Sequence, residues 1–143
     1  MFFKNKKILI IGGTGTIGQS LLRQILLEEP KVIRVLSRDE HKQYIIQNDL
    51  GIRDDIRYLI GDVRDYDRMI SAMEDIDYVF HVAALKHVPS CEYNPYEAVL
   101  TNIGGTHNVI KAGIAQKIKK IIFTSSDKAI SPTNAYGATK LTA

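Results

Sequence analysis

Residues 6–11 form a nearly unbroken aliphatic run, the pattern of a strand buried on both faces of a parallel sheet. The run feeds directly into Gly12-Gly13-Thr14-Gly15-Thr16-Ile17-Gly18. Ile17, Leu21, Leu22, Ile25 and Leu26 then recur at helical spacing until Pro30 stops them. The same reading predicts strands over 32–36, 56–60 and 77–82, a helix over 41–50 ended by Gly51, and a helix over 65–73. Pro95 suits a first helical turn, and Tyr96, Val99, Ile103, Ile110 and Ile114 trace one face of a long helix after it. A fifth strand follows over 118–123, and Tyr136 opens another helix. Strands alternating with helices through short turns require right-handed crossovers. The expected fold is therefore a doubly wound parallel α/β sheet of strand order 3-2-1-4-5.

Composition narrows the class without changing the fold. The chain has 143 residues, 45% hydrophobic and 24% charged, the profile of one globular domain with a sizeable core. Its aliphatic runs are too short to span a bilayer, and Lys4, Lys6 and Lys7 follow Met1-Phe2-Phe3 at once, so a cytoplasmic protein is expected. Cys91 is the single cysteine and reads as a packing residue; with His41, His81, His87 and His107 it shows no metal-ligand spacing, so no metal is expected. The formal charge of +3 concentrates at Lys4-Lys6-Lys7 and Lys117-Lys119-Lys120, which read as solvated strand ends, not a nucleic-acid footprint. No stop signal follows Thr139, so the last helix reads as cut short. Residues 1–143 are then expected to be the cofactor-binding N-terminal part of a longer enzyme, with the substrate domain absent.

A glycine turn between a strand and a helix is the setting of a Rossmann-like dinucleotide site. Gly12, Gly15 and Gly18 permit a tight turn and close backbone approach to a pyrophosphate, with Thr14, Thr16 and Ile17 beside it. At the end of the second strand, Ser37 and Arg38 suit a ribose 2′-phosphate better than a free diol, which favours NADP, with NAD as the alternative. Asp62 is placed to accept from an adenine amino group and Val63 to lie against the ring; the competing reading is a helix N-cap by Asp65. Ala83 and Ala84 leave room for the cofactor after the fourth strand, and Lys86 and His87 read either as cations near an anionic substrate or as exposed polar residues. Tyr136 and Lys140 stand four apart, on one helical face, where the ammonium favours the tyrosinate.

These strings together resemble an extended short-chain dehydrogenase/reductase and, more narrowly, the inverting UDP-N-acetylglucosamine 4,6-dehydratases. The narrow match is carried by Ser37-Arg38-Asp39-Glu40, by His81-Val82-Ala83-Ala84-Leu85-Lys86-His87-Val88-Pro89, by Thr101-Asn102-Ile103-Gly104 and by Ser125-Ser126-Asp127-Lys128-Ala129. Membrane-anchored retaining relatives tend to carry methionine where this chain has Tyr136. The resemblance implies NADP-dependent dehydration of a UDP-sugar. Tyr136 with Lys140 would deprotonate the carbon 4 hydroxyl, Lys128 would take the carbon 5 proton and Asp127 would protonate the departing carbon 6 hydroxyl. Lys86, His87, Asn102 and Ser126 are the implied substrate-side residues, Asn102 positioning the site through backbone or water contacts, with Gly104 and Gly105 allowing close packing beside it. A homo-oligomer is expected, with the long helix as its interface. A UDP-sugar 4-epimerase and a non-catalytic dinucleotide-binding module remain the alternatives, and an exposed ion pair is the plain reading of Asp127 and Lys128.

Overall fold

The computed structural model describes residues 1–143. Five parallel strands, β1 (Lys7–Ile11), β2 (Val32–Ser37), β3 (Ile56–Ile60), β4 (Tyr78–His81) and β5 (Lys120–Phe123), form one sheet in the order β3-β2-β1-β4-β5. This is the expected doubly wound topology. The order reverses between β1 and β4, and the crevice at the carboxyl ends of those strands is where such sheets bind ligands. Register is continuous across the centre, Ile11 pairing with Leu36 on one side and His81 on the other.

The helices cover both faces because successive residues of β1 point to opposite sides. Ile8 and Ile10 pack with Leu22 and Ile25 of α1 (Thr16–Leu26) and Ile46 of α2 (Glu40–Leu50). Leu9 and Ile11 pack with Met69 and Met73 of α3 (Tyr66–Met73) and with Val109 further along the chain. Ile8, Leu9, Ile10 and Ile11 are all 0% exposed, worth roughly 1.5–3 kcal/mol apiece in burial. Asp39 caps α2 by accepting from Lys42 N at 3.0 Å, and Asp65 caps α3 through Arg68 N at 2.9 Å. Lys4, Lys7 and Lys119 end in ion pairs with Glu29, Asp75 and Asp77, as solvated strand ends should. No helix is long and apolar enough to cross a membrane.

The segment after β4 departs from expectation. A short helix, α4 (Val88–Tyr93), precedes Pro95. The long helix after it is interrupted: α5 (Pro95–Ala98) runs into a π-helical turn (Val99–Gly104) and then α6 (Gly105–Ala115). Its buried face is also not the predicted one. Ala98, Thr101, Asn102, Gly105, Thr106, Val109, Ala112 and Gly113 point inward, whereas Tyr96, Val99, Ile110 and Ile114 face outward. Small residues are required inside because α6 lies tight against the sheet and the β3–α3 loop. A Cβ on Gly105 would sit 2.9 Å from Val63 Cβ, and one on Gly113 would run into Ile121 Cδ1. Gly104 does not serve close packing, since the nearest atom to an added Cβ is Val99 O at 3.9 Å.

Candidate active site

The turn between β1 and α1 is built by contacts that only glycine permits. Gly12 has φ +85, and a Cβ there would lie 2.7 Å from Ala83 N. A Cβ on Gly18 would sit 2.5 Å from Gly13 Cα. Gly12 N donates to Leu36 O at 2.8 Å and Gly15 N to Gly12 O at 3.1 Å, while Gln19 Nε2 ties Thr14 O at 2.9 Å. Gly15 itself is open, its nearest neighbour Gly12 O at 3.5 Å from an added Cβ. Gly15 is also the N-cap of α1, and no side chain caps that helix. The amides of its first turn therefore face the cleft without a side-chain acceptor, at the positive end of an 11-residue helix.

Polar groups converge beyond β2 and β3. Asp39 is already engaged, its Oδ1 with Lys42 N and its Oδ2 3.7 Å from Lys42 Nζ. The Lys42 amide holds the Asp39 carboxyl below its ordinary pKa. Ser37 is buried and its Oγ accepts from Gln43 Nε2 at 3.0 Å. Arg38 pairs with neither Asp39 nor Glu40: its Nη1 lies 3.8 Å from Asp62 Oδ2, while Asp62 Oδ1 accepts from Arg64 N at 3.0 Å. With Asp65 capping α3, the two acids of this loop have separate jobs.

On the opposite side stands α7 (Ala135–Thr142), capped by Asn134 Oδ1 on Gly137 N at 2.8 Å. Glu92 of α4 accepts from Ala135 N. Tyr136 and Lys140 are 9% and 6% exposed, and Tyr136 packs with Cys91 and Ala98 in a small core of its own. Cys91 is the packing residue expected of it. Lys140 Nζ donates to Thr124 O at 3.0 Å and lies 4.6 Å from the centre of the Phe123 ring. Burial pulls the Lys140 ammonium below its ordinary pKa.

A cleft of about 790 Å³ joins these parts, within the range of small-molecule sites. Of the residues singled out above, Gly12, Thr14, Gly15, Thr16, Ile17, Gly18, Ser37, Arg38, Asp62, Val63, Ala83, Ala84, Lys86, Tyr136 and Lys140 line it. Lys42, Thr101, Thr124 and Ser125 line it too, though sequence reasoning did not select them. Lys42 was open to discovery, standing in the first turn of α2 just after Ser37-Arg38; Thr101 lies in the π turn, whose course the sequence did not disclose.

Five of the expected residues, Asp127, Lys128, Ser126, His87 and Asn102, lie outside the cleft lining. Asp127 and Lys128 are exposed and paired with each other, Lys128 Nζ to Asp127 Oδ2 at 3.0 Å. Hydrogen bonds from Lys128 and Ser126 hold the Asp127 carboxyl below its ordinary pKa. Ser126 Oγ caps their turn by accepting from Lys128 N at 3.2 Å, and exposed His87 precedes α4 without a side-chain cap bond. Asn102 makes the backbone contacts expected of a residue that positions the site. It is 2% exposed, its Oδ1 accepts from Leu85 N at 2.8 Å, and its Nδ2 donates to Leu85 O and Thr139 Oγ1, each at 2.9 Å. Both hydrogens of its amide are used within the protein.

The fold and cleft define a Rossmann-type domain of the extended short-chain dehydrogenase/reductase class. More particularly, residues 8–143 match the polysaccharide biosynthesis protein family, and the chain belongs to it. It is 50% identical over 141 residues to the UDP-N-acetylglucosamine 4,6-dehydratase (inverting) of Campylobacter jejuni, covering 97% of this chain and 42% of that protein. It is 46% identical over 142 residues to the UDP-glucose 4-epimerase of Rickettsia bellii, covering 96% of this chain and 41% of that one. Among solved structures, Pen from Bacillus thuringiensis superposes with a TM-score of 0.98 at 68% identity, covering 99% of this chain and 45% of Pen. The chain thus spans less than half the length of these relatives.

Proposed function

We propose that this chain carries the cofactor and proton-transfer half of an NADP-dependent UDP-N-acetylglucosamine 4,6-dehydratase that inverts carbon 5. The observation that carries the reading is the convergence of the glycine turn, Lys86 and the Tyr136–Lys140 pair on one cleft. The residues present fit a nicotinamide dinucleotide: the uncapped first turn of α1 offers amides to a pyrophosphate, and open Gly15 lets it approach. Asp39, engaged by Lys42, is a poor partner for a free ribose diol. Ser37, Arg38 and Lys42 suit a 2′-phosphate, which supports NADP.

When bound, such a cofactor supplies a hydride acceptor that can return the hydride within one turnover. Tyr136 deprotonates the carbon 4 hydroxyl, and Lys140 holds the tyrosinate. The 4-ketone acidifies the carbon 5 proton, which Lys128 removes. Asp127 protonates the leaving carbon 6 hydroxyl, Lys86 faces the anionic nucleotide, and His87 and Ser126 border the sugar. These last roles need the 126–129 turn to reorient toward the cleft, breaking the Asp127–Lys128 pair. The outward apolar face of Tyr96, Val99, Ile110 and Ile114 is assigned to contact with a second copy.

The test is to incubate the full-length protein with UDP-N-acetylglucosamine and NADP+ and follow the sugar by NMR. Appearance of a 4-keto-6-deoxy product supports the proposal. Appearance of the 4-epimer alone supports the second reading, a UDP-sugar 4-epimerase. One observation favours that second reading: Tyr136 and Lys140 line the cleft, whereas Asp127 and Lys128, which an epimerase does not need, stand outside it.

A further inference from the structure

His81 closes β4, is 1% exposed, and has no part in the chemistry above. Its Nε2 lies 3.1 Å from Thr106 Oγ1. The Thr106 hydroxyl proton is already given to Asn102 O at 2.7 Å. With that proton on the shorter contact, the ring proton is assigned to Nε2, which donates it and leaves Nδ1 a bare lone pair. That lone pair has no hydrogen-bond partner. A buried acceptor without a donor costs stability that Leu or Val at the same strand position would avoid. The imidazole therefore calls for an explanation other than packing.

Its surroundings supply one. The His81 ring centroid lies 5.5 Å from that of Phe123, the same ring over which Lys140 Nζ sits at 4.6 Å. Lys140 on α7 is the charge that acts on the imidazole; Phe123 on β5 and Thr106 on α6 bring none. Burial first, and Lys140 second, push the His81 pKa down to about 4, so the ring is neutral throughout the working pH range. Lys140 itself is a buried ammonium with one carbonyl, Thr124 O, as its hydrogen-bond acceptor. The imidazole and the ammonium thus pack on one aromatic ring, and an uncharged lone pair turned toward that ammonium opposes the burial that depresses it.

We propose that His81 is a positioning residue for the Tyr136–Lys140 pair: its bare Nδ1 gives the buried ammonium an uncharged acceptor pole, and Thr106 fixes the tautomer that keeps Nδ1 bare. The proposal rests on the reading of Tyr136 and Lys140 given above. Two substitutions separate the two ends of the ring. His81→Gln keeps a donor where Nε2 reaches Thr106 and loses the acceptor at Nδ1, whereas His81→Asn keeps an acceptor near Nδ1 and loses the Thr106 contact. His81→Leu loses both.

The experiment follows the Lys140 side chain of the 143-residue chain by NMR with 13Cε-labelled lysine through a pH titration. NADP+ binding and thermal melting are recorded on the same samples. The Lys140 midpoint is expected to fall by about half a pH unit in the Leu and Gln variants and to hold in the Asn variant. A midpoint preserved by Gln and lost in Asn, or unmoved in every folded variant, overturns the proposal and leaves His81 a strut for Thr106. Failure of the unmodified chain to bind NADP+ would strike the functional reading instead, and would leave the Lys140 comparison standing.

Discussion

Asn102 Nδ2 donates to Thr139 Oγ1 at 2.9 Å, so the π turn grips the helix that carries Tyr136 and Lys140 from behind. The same amide holds both polar atoms of the Leu85 backbone, and Thr139 Oγ1 donates to Tyr136 O at 2.8 Å. π turns recur at functional sites, and here the turn delivers a side chain to three partners at once. Asn102→Ala leaves the Leu85 amide and carbonyl without that partner, and is expected to destabilise the chain by about 3 kcal/mol. Urea unfolding checks this. Thr139→Ser, which keeps the hydroxyl, is expected to stay within about 1 kcal/mol of the parent.

The three glycines of the turn are not equivalent, and alanine substitution should separate them. Gly12 has φ +85 and backbone within 2.7 Å of an added Cβ, and Gly18 packs on Gly13. Gly12→Ala and Gly18→Ala are expected to lower the melting temperature and abolish cofactor binding together. Gly15→Ala meets only ordinary contact at 3.5 Å. It should melt like the parent yet lose about tenfold or more in dinucleotide affinity, because the methyl group occupies the pyrophosphate approach. Calorimetry beside a melting curve tells the two kinds of loss apart.

The buried His81 gives stability a pH dependence of definite sign. Its pKa falls from 6.5 to about 4 on folding, so between those values the unfolded chain binds the extra proton. Stability therefore rises with pH across that window and is fully present above it. Acidification from neutrality to pH 4 should remove up to about 3 kcal/mol through this residue. Asp77, held low by Lys119 and the Lys7 amide, loses its contribution in a separate window, as pH falls through 3.8 and below. His81→Leu is expected to flatten the slope between pH 4 and 6.5 in urea unfolding, leaving the lower window in place.

What the sequence disclosed and what it hid follow from how burial is written in residues. The strands were legible because Ile8 to Ile11 and Val35 to Leu36 are buried on both faces and read as aliphatic runs. The glycine turn was legible because its backbone demands leave no other residue type. Helix α4 was not, since Val88–Tyr93 has six residues and no apolar period. The inner face of the long helix was misread for a related reason. Periodicity follows large apolar residues, but contact against Val63 and Ile121 admits only small ones such as Gly105 and Gly113. Ile110 and Ile114 were therefore counted as core although they are 47% and 75% exposed. His81 was weighed only as a metal ligand and as one letter of a longer string, because nothing in sequence distinguishes a buried imidazole with an unpartnered lone pair from a solvated one.

That outward face makes a prediction of its own. Ile114→Glu adds a charge at a site with no packing to lose, so the isolated chain should keep its melting temperature. If the face meets a second copy, the same substitution in the full-length protein should shift its sedimentation toward the monomer. An unchanged oligomer would move the contact elsewhere.

Asp127 and Lys128 bring the functional reading to its sharpest point, because the structure leaves them with nothing structural to do. Their ion pair is exposed and local, of the kind that contributes little to stability. The backbone beneath them is another matter: a Cβ on Gly137 would sit 2.9 Å from Pro132 Cβ and collide with Lys128 O, so this glycine seats the turn against the helix of Tyr136. Lys128→Ala is therefore expected to leave the melting temperature and NADP+ affinity unchanged while abolishing the 4-keto-6-deoxy product in the full-length enzyme. Gly137→Ala should lift the turn and lower both activity and stability. A Lys128→Ala enzyme that still dehydrates its sugar would return the pair to the solvent, and would leave Tyr136 and Lys140 as the catalytic groups this chain supplies.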